Sequence, residues 1–301
     1  MSGLRELFRF TVEPEAAGLR LDTLLRRRFR VTSTLLRRVR HHGRVLVDGE
    51  PRRVVDPVPA GAEVVVLVEE EASPGVAPEP LPLEVVHEDA DLLVVNKPPG
   101  QVVHPTRGVC GGTLANAAVH YLASRGEPAP VHPVNRLDRG TSGLVVFAKN
   151  AWAHAALAGR LERVYLAVAS GRIEADALTI DQPIGRDPDH PVRRRVDPAG
   201  QPAVTRVRAV SRWPAATLCE VTLETGRTHQ IRVHLAWAGH PLLGDALYGG
   251  PTDRLARPAL HAWRVRFVHP RNRTLLSLEV PPPPDFQALL AALGAPEGGM
   301  G

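Results

Sequence analysis

Charge along this chain is segregated, and the segregation divides it. Residues 20–53 carry eleven arginines against three acids (Asp22, Asp48 and Glu50), a local balance of +8 that exceeds the +5 of the whole chain. Residues 63–91 then hold nine acids and neither lysine nor arginine. Inside that acidic stretch, EEEASPGVAPEPLP over 69–82 contains four prolines, which interrupt helices and remove backbone donors from a sheet. The segment reads as a solvated linker. It predicts a basic module over residues 1–70, a linker over 71–82 and a longer domain over 83–301, and 301 residues suffice for two cores.

Composition narrows the class. An apolar fraction of 44% with 23% charged residues is that of a globular protein. No apolar run reaches the roughly 20 residues of a membrane-spanning helix, and MSGLRELFRF lacks the apolar core of a secretory signal. Cys110 and Cys219 stand far apart, which excludes a disulfide framework and a multi-cysteine zinc site. A soluble protein of a reducing compartment, the cytoplasm, is expected, without a membrane partner. All basic residues except Lys97 and Lys149 are arginine, a bias that accompanies abundant alanine, glycine and proline.

Within the basic module, Leu21, Leu24 and Leu25 fall at helical spacing. Leu35, Leu36 and Val39 repeat the pattern between Thr32 and about His42, with Ser33 or Thr34 as cap. Gly43 stops that helix. Arg44-Val45-Leu46-Val47 is then a strand entering an Asp48-Gly49 hairpin turn, and a further strand follows over 64–68. The pattern predicts a helix–helix–hairpin unit over residues 10–70, with Arg37, Arg38, Arg40 and Arg44 along an exposed ridge. Such a ridge suits a polyanion, though a solvated helix face has the same composition.

The longer domain alternates strands and helices without a regular βαβ rhythm. Strands are expected at 83–86, 92–95, 144–148, 164–169, 203–210, 217–224, 264–268 and 274–279. Helices are expected from Thr113 to Ser124, from Asn150 to about Leu161, from Thr228 to Gly239, and after Asp285. This predicts an α+β fold with a mixed, largely antiparallel central sheet and flanking helices.

Few motifs carry chemistry. There is no Walker loop and no G-x-G-x-x-G after a strand. Gly140-Thr141-Ser142-Gly143 lacks the spacing of a nucleophile elbow, because position 144 is leucine. His229 and His234 lie five apart without H-E-x-x-H, so no catalytic zinc is expected. Two clusters remain. In Arg136-Leu137-Asp138-Arg139, flanking guanidinium groups favour an ionised Asp138, able to serve as base or nucleophile. An isolated R-L-D-R is more often a turn cap paired with one of its arginines. In the second cluster, a helix capped by Thr228 would place His229 and Arg232 together on a face toward a cleft. On spacing alone, an anion site and a solvated basic helix fit it equally.

Read together, these segments resemble a known family. NRLDRGTSGLVVFAKN, GRTHQIRVHLAWAGHPLLGDALYGG, VVNKPPGQVVHPT with GGTLANA, and ALHAWRVRFVHP are similar, in order, to the signature blocks of RluA-family RNA pseudouridine synthases over roughly residues 83–285. GLRLDTLLRRRF and TSTLLRRVRHHGRVLVDG resemble the S4 RNA-binding module, with Asp48 where that module often has asparagine. The resemblance implies the pseudouridine synthase fold with a small N-terminal S4-like α/β module. It implies Asp138 as the catalytic aspartate, Arg232 as its charge partner, Tyr165 as the stacking tyrosine and Leu260 as a pocket-lining residue. Arg136 and Arg139 flank the aspartate at the substrate, and His229 joins them. Asn135 stands where many members have histidine in H-R-L-D, a departure that bears on substrate contacts.

The implied reaction isomerises a uridine within RNA to pseudouridine and calls for no cofactor and no metal. RNA is the implied partner, ribosomal RNA favoured over transfer RNA by the S4-like module, with the protein acting as a monomer. Arg193-Arg194-Arg195 fits a phosphate contact and a surface loop between Pro191 and Pro198 equally. Lys97 is expected to support the cleft floor, Asp245 to organise a loop, and His104, His120 and His261 to pack. A non-catalytic RNA-binding or ribosome-assembly factor has no need of Asp138, Tyr165 and Arg232 together. A nucleoside hydrolase wants a second carboxylate for water activation, and none is apparent.

Overall fold

The computed structural model describes residues 4–69, 75–106, 108–127 and 129–295. Its N-terminal part is an antiparallel sheet of β1 (Leu4–Thr11), β2 (Gly43–Val47), β3 (Glu50–Arg52) and β4 (Glu63–Glu69), in spatial order β1–β4–β2–β3. Against it pack α1 (Leu21–Phe29) and α2 (Ser33–His42). Asp48 and Gly49 both have positive φ, 51° and 82°, as the β2–β3 hairpin turn requires. Thr32 rather than Ser33 or Thr34 caps α2, accepting from the Leu35 N–H at 3.2 Å. Strand β1 has no counterpart in the sequence expectation. A bulge between Glu6 and Phe8 buries Leu7 and Phe8 in succession, which breaks the two-residue alternation that marks a strand.

The second part contains β5 (Glu84–Glu88), β6 (Leu92–Lys97), α3 (Leu114–Ser124), β7 (His132–Pro133), β8 (Ser142–Ala148) and α4 (Ala151–Leu157). It continues with β9 (Glu162–Ser170), β10 (Ala177–Asp181), β11 (Ile184–Arg186), β12 (Arg194–Val196), β13 (Val204–Trp213) and β14 (Ala216–Leu223). It ends with α5 (Gln230–Trp237), β15 (Leu260–Val268), β16 (Leu275–Glu279) and α6 (Pro284–Leu293). Ten strands form one sheet, ordered β10–β13–β14–β9–β15–β8–β6–β5, with β16 on β15 and β7 on β8. Every pairing in it is antiparallel except β8 with β15, so the α+β class and the mixed, largely antiparallel sheet hold. The hairpin β11–β12 stands apart as a two-stranded ribbon.

Strand β8 is buried along its whole length because both faces of the sheet are covered. Leu144 and Val146 join the core shared with the N-terminal module; Val145 and Phe147 join the core under α3. Gly143 has φ +110°, and a Cβ there would lie 2.2 Å from the Ala262 carbonyl oxygen. Only glycine lets β8 begin against β15. Helix α4 stops at Leu157, four residues short of expectation, with Gly159 in the left-handed region just beyond. Pro283 precedes α6 at the cap position, and Asp285 instead pairs with Arg257 at 2.6 and 2.8 Å.

The N-terminal module is docked on the second domain. Trp152 of α4 meets Phe8 edge-on at 4.9 Å and donates to the Phe29 carbonyl at 2.9 Å. Arg271 binds both oxygens of buried Asp91 at 2.6 Å and the Leu7 carbonyl at 2.8 Å, its guanidinium lying over Phe8 and Trp152. Of the expected solvated linker, residues 71–74 lie outside the described residues. The remainder is held against the second domain: Val76 is buried, and Glu79 accepts from the Gly112 N–H at 2.9 Å. Among the described residues, no helix is long and apolar enough to cross a membrane.

Candidate active site

A cavity of about 530 Å³ opens where the loop before β8 meets β9, β15 and α5. Asp138, Tyr165, His229, Arg232 and Leu260 all line it, brought together from four separate stretches of the chain. Asp138 is about a quarter exposed, while Tyr165 and Leu260 form buried walls.

The Asp138 loop is held from below. Lys97, fully buried at the end of β6, donates to the carbonyls of Pro98 (2.8 Å), Gln101 (2.9 Å) and Arg139 (3.3 Å). Asn135 donates its amide to the Leu144 carbonyl at 3.1 Å and accepts from the Val146 N–H at 2.8 Å, tying the loop to β8. Both ends of the Asn135 amide thus serve the backbone rather than standing free for substrate, although the residue lines the cavity. Arg136 is exposed at the cavity. Arg139, expected at the substrate, is absent from the lining and donates to the Gly100 carbonyl at 3.0 Å. The loop 98–101 draws it away.

Arg232 sits at the electrostatic centre. Its Nη1 reaches Asp138 at 3.4 Å, while Nε and Nη2 bind Asp245 at 2.7 and 2.8 Å. Burial works against the guanidinium charge, but the Asp245 carboxylate more than offsets it and holds the pKa above its ordinary value. Asp245 therefore does more than organise its loop: it fixes the arginine that faces Asp138. Burial pushes the Tyr165 phenol up, with Asp138 adding to the effect and Arg163 opposing it.

Helix α5 starts differently from expectation. The cap position is His229, in a left-handed conformation at φ 60°, and not Thr228. No side chain caps α5; the Gln230 side chain instead ties down the loop ahead of the helix, accepting from the Arg227 N–H at 2.9 Å and the Thr225 hydroxyl at 2.8 Å. The His229 ring turns toward Tyr248, whose hydroxyl lies 2.8 Å from its Nδ1. Burial pulls the His229 pKa below its ordinary value, against the nearby Asp138 charge. Tyr248 also stacks under Arg232 at 4.9 Å. Neither Tyr248 nor the Asp245 clamp is visible in sequence as part of the site, because the loop carrying both is brought in only by tertiary folding.

In the N-terminal module, Arg37, Arg40 and Arg44 are exposed. Arg38 is half-buried and donates to the Glu69 carbonyl at 2.7 Å, so the expected ridge loses one member to the fold. Among the described residues, Asp89, Asp91 and His269 bring metal-capable atoms within 4.8 Å of one another. Arg271 already occupies both Asp91 oxygens, and His87 and His269 share one Asp89 oxygen at 2.8 and 3.1 Å. That cluster is the ion-pair network under the docked module.

Residues 91–237 match the protein-family model described as RNA pseudouridylate synthase. The RNA pseudouridine synthase YhcT of Bacillus subtilis is 46% identical over 239 residues, covering 77% of this chain and 79% of that protein. The chain belongs to the RluA family of RNA pseudouridine synthases. Ribosomal large subunit pseudouridine synthase D of Neisseria meningitidis serogroup A is 39% identical over 308 residues, covering 94% of this chain and 81% of that one. The solved structure of human RNA pseudouridylate synthase domain containing 1 superposes with a TM-score of 0.57 at 26% identity, covering 69% of this chain and 87% of that chain. The family match takes in Asp138, Tyr165 and Arg232 and stops before Asp245 and Leu260.

Proposed function

We propose that this pseudouridine synthase modifies uridines of large-subunit ribosomal RNA in the cytoplasm, with Asp138 as its catalytic carboxylate. The observation that carries the role of Asp138 is its placement: a partly exposed carboxylate at a cavity, facing a buried arginine that a second carboxylate locks in place. The ribosomal target is supported by likeness across 94% of the chain to a relative named for the large ribosomal subunit.

In this reading a uridine leaves its stack and enters the cavity, where Tyr165 and Leu260 receive the base. Asp138 acts on the sugar or the base as the N1–C1′ bond breaks. The uracil turns while held, C5 bonds to C1′, the C5 proton departs and N1 gains one, so the product is an isomer. Arg232, held by Asp245, presents its remaining Nη1 to Asp138. The N-terminal module, read as S4-like, grips RNA phosphates through Arg37, Arg40 and Arg44.

The test is a pseudouridine map of ribosomal RNA from cells lacking the gene, with and without restoration by the wild-type protein. A site that vanishes and returns is expected. If no site changes and unmodified large-subunit RNA also stays unmodified in vitro, the target assignment is wrong.

A further inference from the structure

A second cavity, of about 440 Å³, adjoins the first, and Arg227 and Thr228 line both. Its far wall is the β11–β12 hairpin. Side chains alternate between faces along a strand, so the triplet at residues 193–195 cannot point one way. Arg193 binds Asp187 at 2.5 Å, and Arg195 lies 3.8 Å from Asp197. Arg194, between them, lines the cavity, and its buried Nε has no hydrogen-bond partner among the described residues.

Directly across the hairpin from Arg194 stands Arg186, which also lines the cavity. Like charges opposed across a ladder destabilise it, and among the described residues no carboxylate lines this cavity to offset them. Arg227 adds a third guanidinium, engaged through Nε on the Pro202 carbonyl at 3.0 Å. The floor is backbone: a Cβ on Gly200 would lie 2.4 Å from the Ile184 carbonyl carbon.

Three arginines around a cavity lined by no acid form a polyanion site, since guanidinium forks match phosphate oxygens. We propose that this cavity holds the backbone phosphate of a nucleotide flanking the uridine that enters the Asp138 cavity. The inference rests on the reading that the substrate is an RNA strand. The two cavities are also mechanically joined. Arg194 donates its backbone N–H to the Tyr248 hydroxyl at 2.9 Å, and that hydroxyl meets His229 at the head of α5. A phosphate seated on Arg194 is thereby registered against the helix that carries Arg232, and its binding offsets the stacking given up when the base is everted.

The test measures binding of a labelled, uridine-containing RNA stem-loop to full-length protein carrying Asp138→Asn, so that nothing turns over. Adding Arg186→Gln and Arg194→Gln together is expected to weaken binding about tenfold. It is also expected to lower the slope of log affinity against log salt by about 0.7 for each phosphate that is no longer neutralised. Arg195→Gln removes the same charge from the other face of β12 and should change neither, while Arg194→Lys should recover part of the slope. Thermal unfolding of each variant checks that the hairpin is intact.

An unchanged slope in the double variant overturns the proposal, and so does an equal effect in Arg195→Gln. Inorganic phosphate is titrated in parallel. Phosphate binding that needs Arg194, with RNA binding that does not, assigns the cavity to a free anion and also overturns it. Pseudouridine formation by the wild type is scored separately. If formation survives while the slope prediction fails, this inference falls and the assigned reaction stands.

Discussion

Arg232 and Asp245 form a bidentate buried pair at 2.7 and 2.8 Å, and Asp138 receives only the remaining Nη1 at 3.4 Å. The stronger attachment is to the residue away from the cavity. A guanidinium fixed this way faces Asp138 with its charge already positioned.

Removing either carboxylate should therefore have different consequences. Asp245→Asn leaves Arg232 buried without its main charge partner, and breaking such a pair costs about 3–5 kcal/mol. Asp138→Asn, at a quarter-exposed position, should cost far less. Urea unfolding of both variants checks the order. Equal losses of stability would mean that Arg232 is not held chiefly by Asp245.

Tyr165 lines the cavity as a buried ring, and its pairing with Ala262 sets it beside Leu260. Tyr165→Ala should cost about 3–5 kcal/mol and raise KM by removing the stacking surface. Tyr165→Phe keeps the ring and should preserve both stability and KM, so any fall in its kcat isolates the hydroxyl. A KM for the phenylalanine variant as poor as that of the alanine variant would rule out stacking as the role of the ring.

The docking of the N-terminal module depends on Arg271. Arg271→Ala strips the cation from Asp91, which is 1% exposed, and breaks the bond to the Leu7 carbonyl. A destabilisation of about 3 kcal/mol is expected, together with faster proteolysis between the module and the second domain. Small-angle scattering should show a longer maximum dimension. An unchanged scattering profile would show that the aromatic contacts of Trp152 hold the module by themselves.

Acid should weaken the fold through His234 and His261. Each is fully buried between a hydroxyl and a carbonyl: His234 between Thr205 and Gln182, His261 between Ser142 and Val280. Burial holds both below the ordinary histidine value of 6.5. The folded pKa is depressed, so the unfolded chain binds protons first. Stability is full above about pH 6.5 and falls away as pH drops through the lower folded values. Denaturant midpoints between about pH 8 and pH 5 test this. Replacing either histidine by glutamine should flatten the profile; an unaltered acid limb in both variants would assign it to other groups.

Much of this was legible in the sequence for identifiable physical reasons. The continuous apolar run in β8 marks a strand buried on both faces, and Asp48-Gly49 marks a hairpin because its backbone demands positive φ. Asp138, Arg232 and Leu260, which line one cavity, were singled out by the ordered family blocks and Tyr165 by its likeness to the family's tyrosine, since no single spacing distinguishes R-L-D-R from a turn. What was hidden depends on long-range packing. Strand β1 is masked by its bulge. The left-handed His229 cap, without a side-chain acceptor, carries no capping signal in the sequence. Asp245 and Tyr248 enter the site on a loop whose position only the folded sheet determines, and Arg271 reaches the module across 264 positions of sequence.

The proposed chemistry stands or falls with Asp138. Its role is tested by quantifying pseudouridine formed on unmodified large-subunit ribosomal RNA by wild-type and Asp138→Asn protein, with RNA affinity measured alongside. Product is expected with the wild type and none with the variant, at affinities within a few-fold of each other. Turnover retained by Asp138→Asn, with or without weaker binding, would contradict the assignment.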